Sequence, residues 1–359
     1  MNRFFSTLAL AAASLALATP AFAAKLKVPG QYPTIQQAID AAGPDDVIRI
    51  SAGTYHEAIV ILGHAGLRLE AKGKVVLDGS GGATAVAILG GSDIHLKGLK
   101  IRNAVLGVGS AGTPGVRIEN CVIEQMTNIG VFFQLGMGCS VEKSRVRHIG
   151  NHAVYFEDSV ACSVIDSKLS DVGGDGVFVE GIQHSIIGNL FEKISMKPIR
   201  AGEDASTSGL LIADNRFRID ENGAILATNS VDLSILANDF RGGSGSALYT
   251  TETTSFVLID DNRFKKTDGS AVLFRSDNST VSRNRTKQCR NGIVPQPAST
   301  GCVFQANVLK KSTQHGIYNQ AVGNVFLGNV ASKSAGFDLN DLEAAVQNAW
   351  IGNAFGTAN

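Results

Sequence analysis

The tetrapeptide Asp-Asn-Arg-Phe occurs at residues 214–217 and again at 261–264, 47 positions later. Its local shape is a polar residue, any residue, then an apolar one. That shape recurs in a column running Leu99, Cys121, Ser144, Ser167, Asn189, Asn215, Asn238, Asn262, Asn284, Asn307, Asn329 and Asn353. The steps are 22 to 26 residues with a mean near 23, so 47 is two periods and the chain is a tandem array. A second column keeps step seven to nine residues later. It includes Gly130-Val131, Ala153-Val154, Gly176-Val177, Ala247-Leu248, Gly292-Ile293, Gly316-Ile317 and Gly336-Phe337.

Each period holds three short apolar runs between Gly, Asn, Ser or Asp; GVFVEG, HSIIGN and NLFEKI fill residues 176–194. Short alternating runs between turn formers are strands. Leucine does not dominate and no helical period of ten residues appears, which excludes a leucine-rich repeat. Three strands per period predict an all-β, right-handed parallel β-helix of about 12 rungs, stacked about 4.8 Å apart. Asn is expected in the column because it tolerates left-handed turn backbone and its stacked amides bond each other. The one amphipathic helix, predicted over 34–42, carries Thr34 and Gln37 at capping-box spacing and covers the N-terminal end. Trp350 and Phe355 are the candidates for the other end.

Composition bounds the function. Residues 1–23 read as a secretory signal peptide cleaved near Ala23, leaving one domain over 24–359 in a periplasmic or secreted protein. No apolar run is long enough for a transmembrane helix. Lys plus Arg equals Asp plus Glu at 32 each; losing Arg3 leaves about −1, so no nucleic-acid partner is expected. The five cysteines lack zinc spacing. Cys139 and Cys162 fall at one place in adjacent rungs, within disulfide reach or as a buried stack.

The stretch YPTIQQAIDAAGPDDVIRISAGTYHEAIVI (residues 32–61), with the rungs after it, resembles the pectin-lyase-like superfamily of right-handed β-helix proteins. The resemblance spans nearly all of the chain after residue 23. It implies the fold, and a substrate groove on the outer face of the Gly-Val strand. Its catalytic signatures are absent here: no Asp-Pro-His, no Gly-His-Gly, no Trp-Ile-Asp-His and no glycine-rich calcium nonapeptide. No cofactor is expected from a motif, and calcium is left open without one.

Alternation assigns outward residues. Flanking the inward Ile101, Ile123, Val146, Leu169, Phe191, Phe217, Phe240, Phe264 and Leu309, thirteen outward positions are basic. They are Lys100, Arg102, Arg145, Arg147, Lys168, Arg216, Arg218, Arg241, Arg263, Lys265, Arg285, Lys287 and Lys310; only Glu124, Glu192 and Asp239 are acidic. This is either a solvated face that discourages sheet-to-sheet association or a docking surface for an envelope polyanion.

The outward column of the Gly-Val strand reads Phe132, Tyr155, Phe178, Arg200, Ile225, Tyr249, Leu273, Val294, Tyr318 and Asp338, and a neighbouring column carries Arg275. Aromatic faces in register suit sugar rings. Three rungs add His152, Glu157, Asp175, Glu180 and Lys197, with Glu203 and Asp204 in the one long insertion, residues 201–208. This set suffices for a lyase or C5-epimerase acting on an anionic polysaccharide. Arg200 or Lys197 would neutralise the substrate carboxylate, and Tyr155 or His152 would move the C5 proton. Alternatively Glu157 and Glu180 form a carboxylate pair for glycoside hydrolysis, or the chain is a non-catalytic envelope scaffold.

Overall fold

The short runs find hydrogen-bond partners only one period away. Val122 pairs Arg145, Arg145 pairs Lys168 and Lys168 pairs Leu190, all in parallel. Repeated three times per period, this pairing builds a right-handed parallel β-solenoid of about 14 turns. It is seen in a computed structural model that describes residues 23–203, 205–342 and 347–358. The first ladder holds the runs before the Asn column, such as Leu211–Ala213; the second holds those after it, such as Arg216–Ile219; the third holds the Gly-Val runs, such as Val177–Ile182. The extra turns over the predicted 12 lie at the N-terminus. There Lys25–Val28 and Val47–Tyr55 pair before any polar column residue begins. The predicted signal segment lies outside the described residues. No helix among the described residues is long and apolar enough to cross a membrane.

The Asn column is buried and bonded end to end. From Asn189 to Asn353, each Nδ2 donates to the next column Oδ1 at 2.9–3.1 Å. The same Oδ1 accepts the preceding column residue's backbone N–H, as when Asn262 accepts from Asn238 at 2.9 Å. The left-handed backbone expected of these asparagines belongs instead to the residue before: Asp214 (φ 56°), Ala237 (φ 55°), Asp261 (φ 49°) and Ala306 (φ 52°). The column asparagine is there for its amide.

Inside, Phe191, Phe217, Phe240 and Phe264 are buried as alternation predicts and stack at 5.0, 4.6 and 4.6 Å between centroids. Gly176 sits where a Cβ would meet Pro198 O at 2.5 Å, so the corner entering the third ladder admits only small residues. The five cysteines are buried free thiols, Cys139 and Cys162 included.

Both ends are covered. Helix α1 (Ile35–Asp40) is shorter than the predicted 34–42. Thr34 Oγ1 accepts from Gln37 N at 3.2 Å. The next two N–H groups, of Ile35 and Gln36, donate to the Glu57 carboxylate at 2.9 and 3.1 Å. The AGTYHE stretch therefore serves the fold directly, because its glutamate caps the lid helix. At the other end Trp350 stacks on Phe326 at 3.9 Å, with Phe355 edge-on at 6.0 Å.

Candidate functional site

Register along the third ladder aligns Phe132, Tyr155, Phe178, Arg200, Leu226, Tyr249, Leu273 and Val294 on its outer face. Leu226 replaces the expected Ile225, which points inward. The long insertion shifted the count by one. At the last rung the strand is Leu339–Asp341, not Gly336-Phe337, so Asn340 occupies the place expected of Asp338. Asp338 is buried and bonded to Ser334 N and Thr357 N.

The strands Val154–Val160, Val177–Ile182 and Ile199–Ala201 bring most of the candidate residues together. Tyr155 stacks on Phe178 at 4.7 Å and 14°, and on its other side meets Phe132 at 5.2 Å. His152 closes the cluster, 5.2 Å from Phe178 and 5.7 Å from Tyr155.

Acids flank the rings on two sides. The Tyr155 hydroxyl donates to Glu180 Oε2 at 2.8 Å and lies 3.3 Å from Glu157 Oε1. Burial, then these two carboxylates, raise the Tyr155 pKa well above the phenol range, so the group stays protonated. Glu180 Oε1 also accepts from Ala205 N at 3.2 Å, which ties the insertion to the site. On the second side, buried Asp175 takes Arg200 Nε at 2.9 Å and the Lys197 backbone N–H at 2.9 Å. Arg200 Nη1 reaches Glu203 Oε1 at 3.1 Å; Glu203 is half exposed. His152 Nδ1 lies 3.5 Å from Asp175 Oδ2 without a hydrogen bond between them. Burial lowers the His152 pKa against the pull of Asp175, so the imidazole is neutral near pH 7. Burial, then Arg200, also lowers that of Lys197, whose Nζ donates to Asn222 O.

Other expected residues stand apart. Tyr249 lies four rungs on, about 19 Å at strand spacing, with the Arg275 guanidinium over its ring at 5.7 Å. Tyr318 lies farther along, beside His315 at 5.1 Å. Asp204 lies outside the described residues. Sequence reasoning missed Gln134, which donates to Glu157 Oε2 at 2.6 Å, and the His315–Phe337 stack at 6.0 Å. His315 precedes Tyr318 as His152 precedes Tyr155, and aligning the repeats on tyrosine would have found it.

On the second ladder six of the thirteen cations are paired: Arg102 with Asp78, Lys100 and Arg147 with Glu124, Lys168 with Glu192, and Arg218 and Arg241 with Asp239. Arg145, Arg216, Arg263, Lys265, Arg285, Lys287 and Lys310 make no ion pair among the described residues. No group of three or more metal-ligating side chains was found among the described residues.

Two overlapping matches to the right-handed β-helix region, at residues 58–195 and 152–341, cover most of the chain. The chain belongs to the right-handed β-helix family. No curated protein matches it. Among solved structures, this β-helix is similar to the mannuronan C-5 epimerase AlgE6 A-module of Azotobacter vinelandii. The two share 15% identity over 90% of this chain and 94% of that one, with a TM-score of 0.62. A mannuronic acid specific polysaccharide family 6 lyase from human gut microbiota gives 14%, 91%, 82% and 0.60. The surface adhesin PfbA of Streptococcus pneumoniae gives 12%, 86%, 91% and 0.53. At these identities the likeness is one of fold.

Proposed function

We propose that the protein is exported and that it binds and processes an anionic polysaccharide on the outer face of the third ladder. One observation carries the reading: a neutral imidazole, a protonated phenol and a guanidinium surround a single aromatic platform. A sugar ring lying against the outward edges of this aromatic stack brings its carboxylate to Arg200, where it displaces the half-exposed Glu203. Charge neutralisation there acidifies the C5 proton. His152, through the ring nitrogen not turned to Asp175, takes that proton. Tyr155, held protonated, is the donor rather than the base. If its proton goes to the C4 oxygen as the C4–O bond breaks, the result is β-elimination. If it goes to the opposite face of C5, the result is epimerisation. Similarly folded proteins include one epimerase and one lyase, the same two chemistries.

A specific observation favours a second reading. The Glu157 and Glu180 oxygens that share the Tyr155 hydroxyl are at most about 6 Å apart, shorter than the ~6.5–9.5 Å of inverting glycosidases and in reach of the ~5–5.5 Å of retaining ones. Incubation with alginate, pectate and glycosaminoglycans separates the two. Absorbance from an unsaturated uronate, lost in Tyr155→Phe, supports elimination; new reducing ends without absorbance, lost in Glu180→Gln, support hydrolysis. Inversion at C5 with neither signal supports epimerisation. Salt-sensitive binding with no product on any polymer would leave a non-catalytic scaffold.

A further inference from the structure

The second ladder divides its charge unevenly. Up to the Asp239 rung six of its eight outward cations are matched among the described residues, Arg145 and Arg216 being the exceptions: Glu124 alone holds Lys100 at 2.6 Å and Arg147 at 2.7 Å, and Asp239 holds Arg241 at 2.8 Å. Beyond Asp239 the pattern stops. Arg263 stacks on Arg285, and Lys265 stacks on Lys287, which stacks on Lys310. All five are exposed, and none has an ion pair among the described residues. Three turn residues beside this ladder, Lys266, Lys311 and Lys333, are also lysines, held in left-handed backbone (φ 58°, 55° and 62°) where glycine or asparagine is less strained. The acids of the same rungs do not neutralise the ladder. Asp260 pairs with Arg283, while Asp261 and Asp268 sit at exposed turns without an ion pair among the described residues.

Like charges directly opposite on paired strands repel. The same ladder carries partners for its cations a few rungs earlier, so an unmatched run is a surface with a missing counter-charge. We propose that Arg263, Lys265, Arg285, Lys287 and Lys310 form a docking ladder for an acidic polysaccharide, on a different face from the aromatic cluster and independent of any chemistry there. The cations repeat at strand spacing, about 4.8 Å, along a straight line. An extended polyuronate, with one carboxylate per sugar ring, presents its charges in the same manner. Single-stranded nucleic acid is a poorer fit, because its binding platforms need outward aromatics. The outward positions of these three rungs are Arg, Lys, Arg, Lys, Val and Lys.

Titration of residues 24–359 with polygalacturonate, at low and at physiological salt, tests the ladder. The expected result is salt-sensitive binding that weakens at least tenfold in Arg263→Glu/Lys287→Glu. It should weaken less in the milder Arg285→Gln/Lys310→Gln, which keeps the question answerable if charge reversal disturbs folding. The variant Lys168→Gln, which removes a cation of the same ladder already paired with Glu192, should bind as the parent does, which ties binding to the unmatched run. The proposal is overturned if the parent binds no polygalacturonate or if both ladder variants bind it equally well. It also fails if only anionic lipid vesicles or single-stranded DNA are bound.

Discussion

Asn262 uses every hydrogen-bonding position of its amide. Its Nδ2 has two N–H groups for three acceptors, Ile235 O, Asp260 O and Asn284 Oδ1, so one N–H is shared, and its Oδ1 accepts from Asn238 N and Asn238 Nδ2. Asn262→Ala strands buried groups on two neighbouring turns, and should cost about 2–4 kcal/mol in urea unfolding at ~1–3 kcal/mol per orphaned group. The column was legible in the sequence, but its reason was not. Asparagine suits left-handed backbone and amide ladders equally, and only coordinates assign the first role to Asp261 and the second to Asn262. Buried histidines add a pH dependence. Burial lowers the pKa values of His95, His152 and His184, so the unfolded chain binds more protons below about 6.5 and stability falls as pH drops through that value. Asp78, Glu119 and Glu124 have lowered pKa values, so their contribution is lost only further down, through about pH 4. Melting temperature should therefore decline in two stages. His184→Gln should flatten the first, since His184 Nδ1 accepts from Cys162 N at 3.1 Å and an imidazolium there has no acceptor to offer.

The lid helix shows what can be read about an element and what cannot. Its apolar face, Ile35, Ala38 and Ile39, is buried as the periodicity indicates. Its N-terminus, however, is capped from 22 residues away by Glu57, a partner that no local pattern reveals. Gln36 completes the closure, since its amide pairs both backbone groups of Val60 and so blocks the edge of the strand Ile59–Leu62. Glu57→Ala should cost about 1–3 kcal/mol, the range for losing hydrogen bonds to a charged group. Amide exchange should speed up in residues 35–40 and in the first turns, with distant turns unchanged, as expected of a solenoid whose repeats touch only their neighbours. Register at the 26-residue rung and at the C-terminal rung was misread for a related reason. Insertions move strand starts by one or two residues, and a period averaged over the chain does not see them.

At the scale of the whole molecule, the repeat fixes which residues become vertical neighbours, and the site follows from it. Tyr155, Phe178 and Arg200 are adjacent because their rungs are. What the sequence could not supply is the state of each group. It left Tyr155 and His152 as interchangeable proton carriers; burial and the two glutamates keep the phenol protonated, and burial keeps the imidazole neutral, so in the proposed reaction the first is the donor and the second the acceptor. Arg200→Ala should lower kcat/KM on a polyuronate by about 10²–10³, the cost of removing one charge-stabilising donor. Neutral glucans should be indifferent to it in binding assays. The central claim is that a C5 proton leaves the sugar at this site, and proton NMR of a polyuronate incubated with the protein in deuterium oxide measures that event itself. The account predicts progressive loss of the C5 proton signal, abolished in His152→Ala. A fully retained C5 signal on polymers that the protein binds would contradict it.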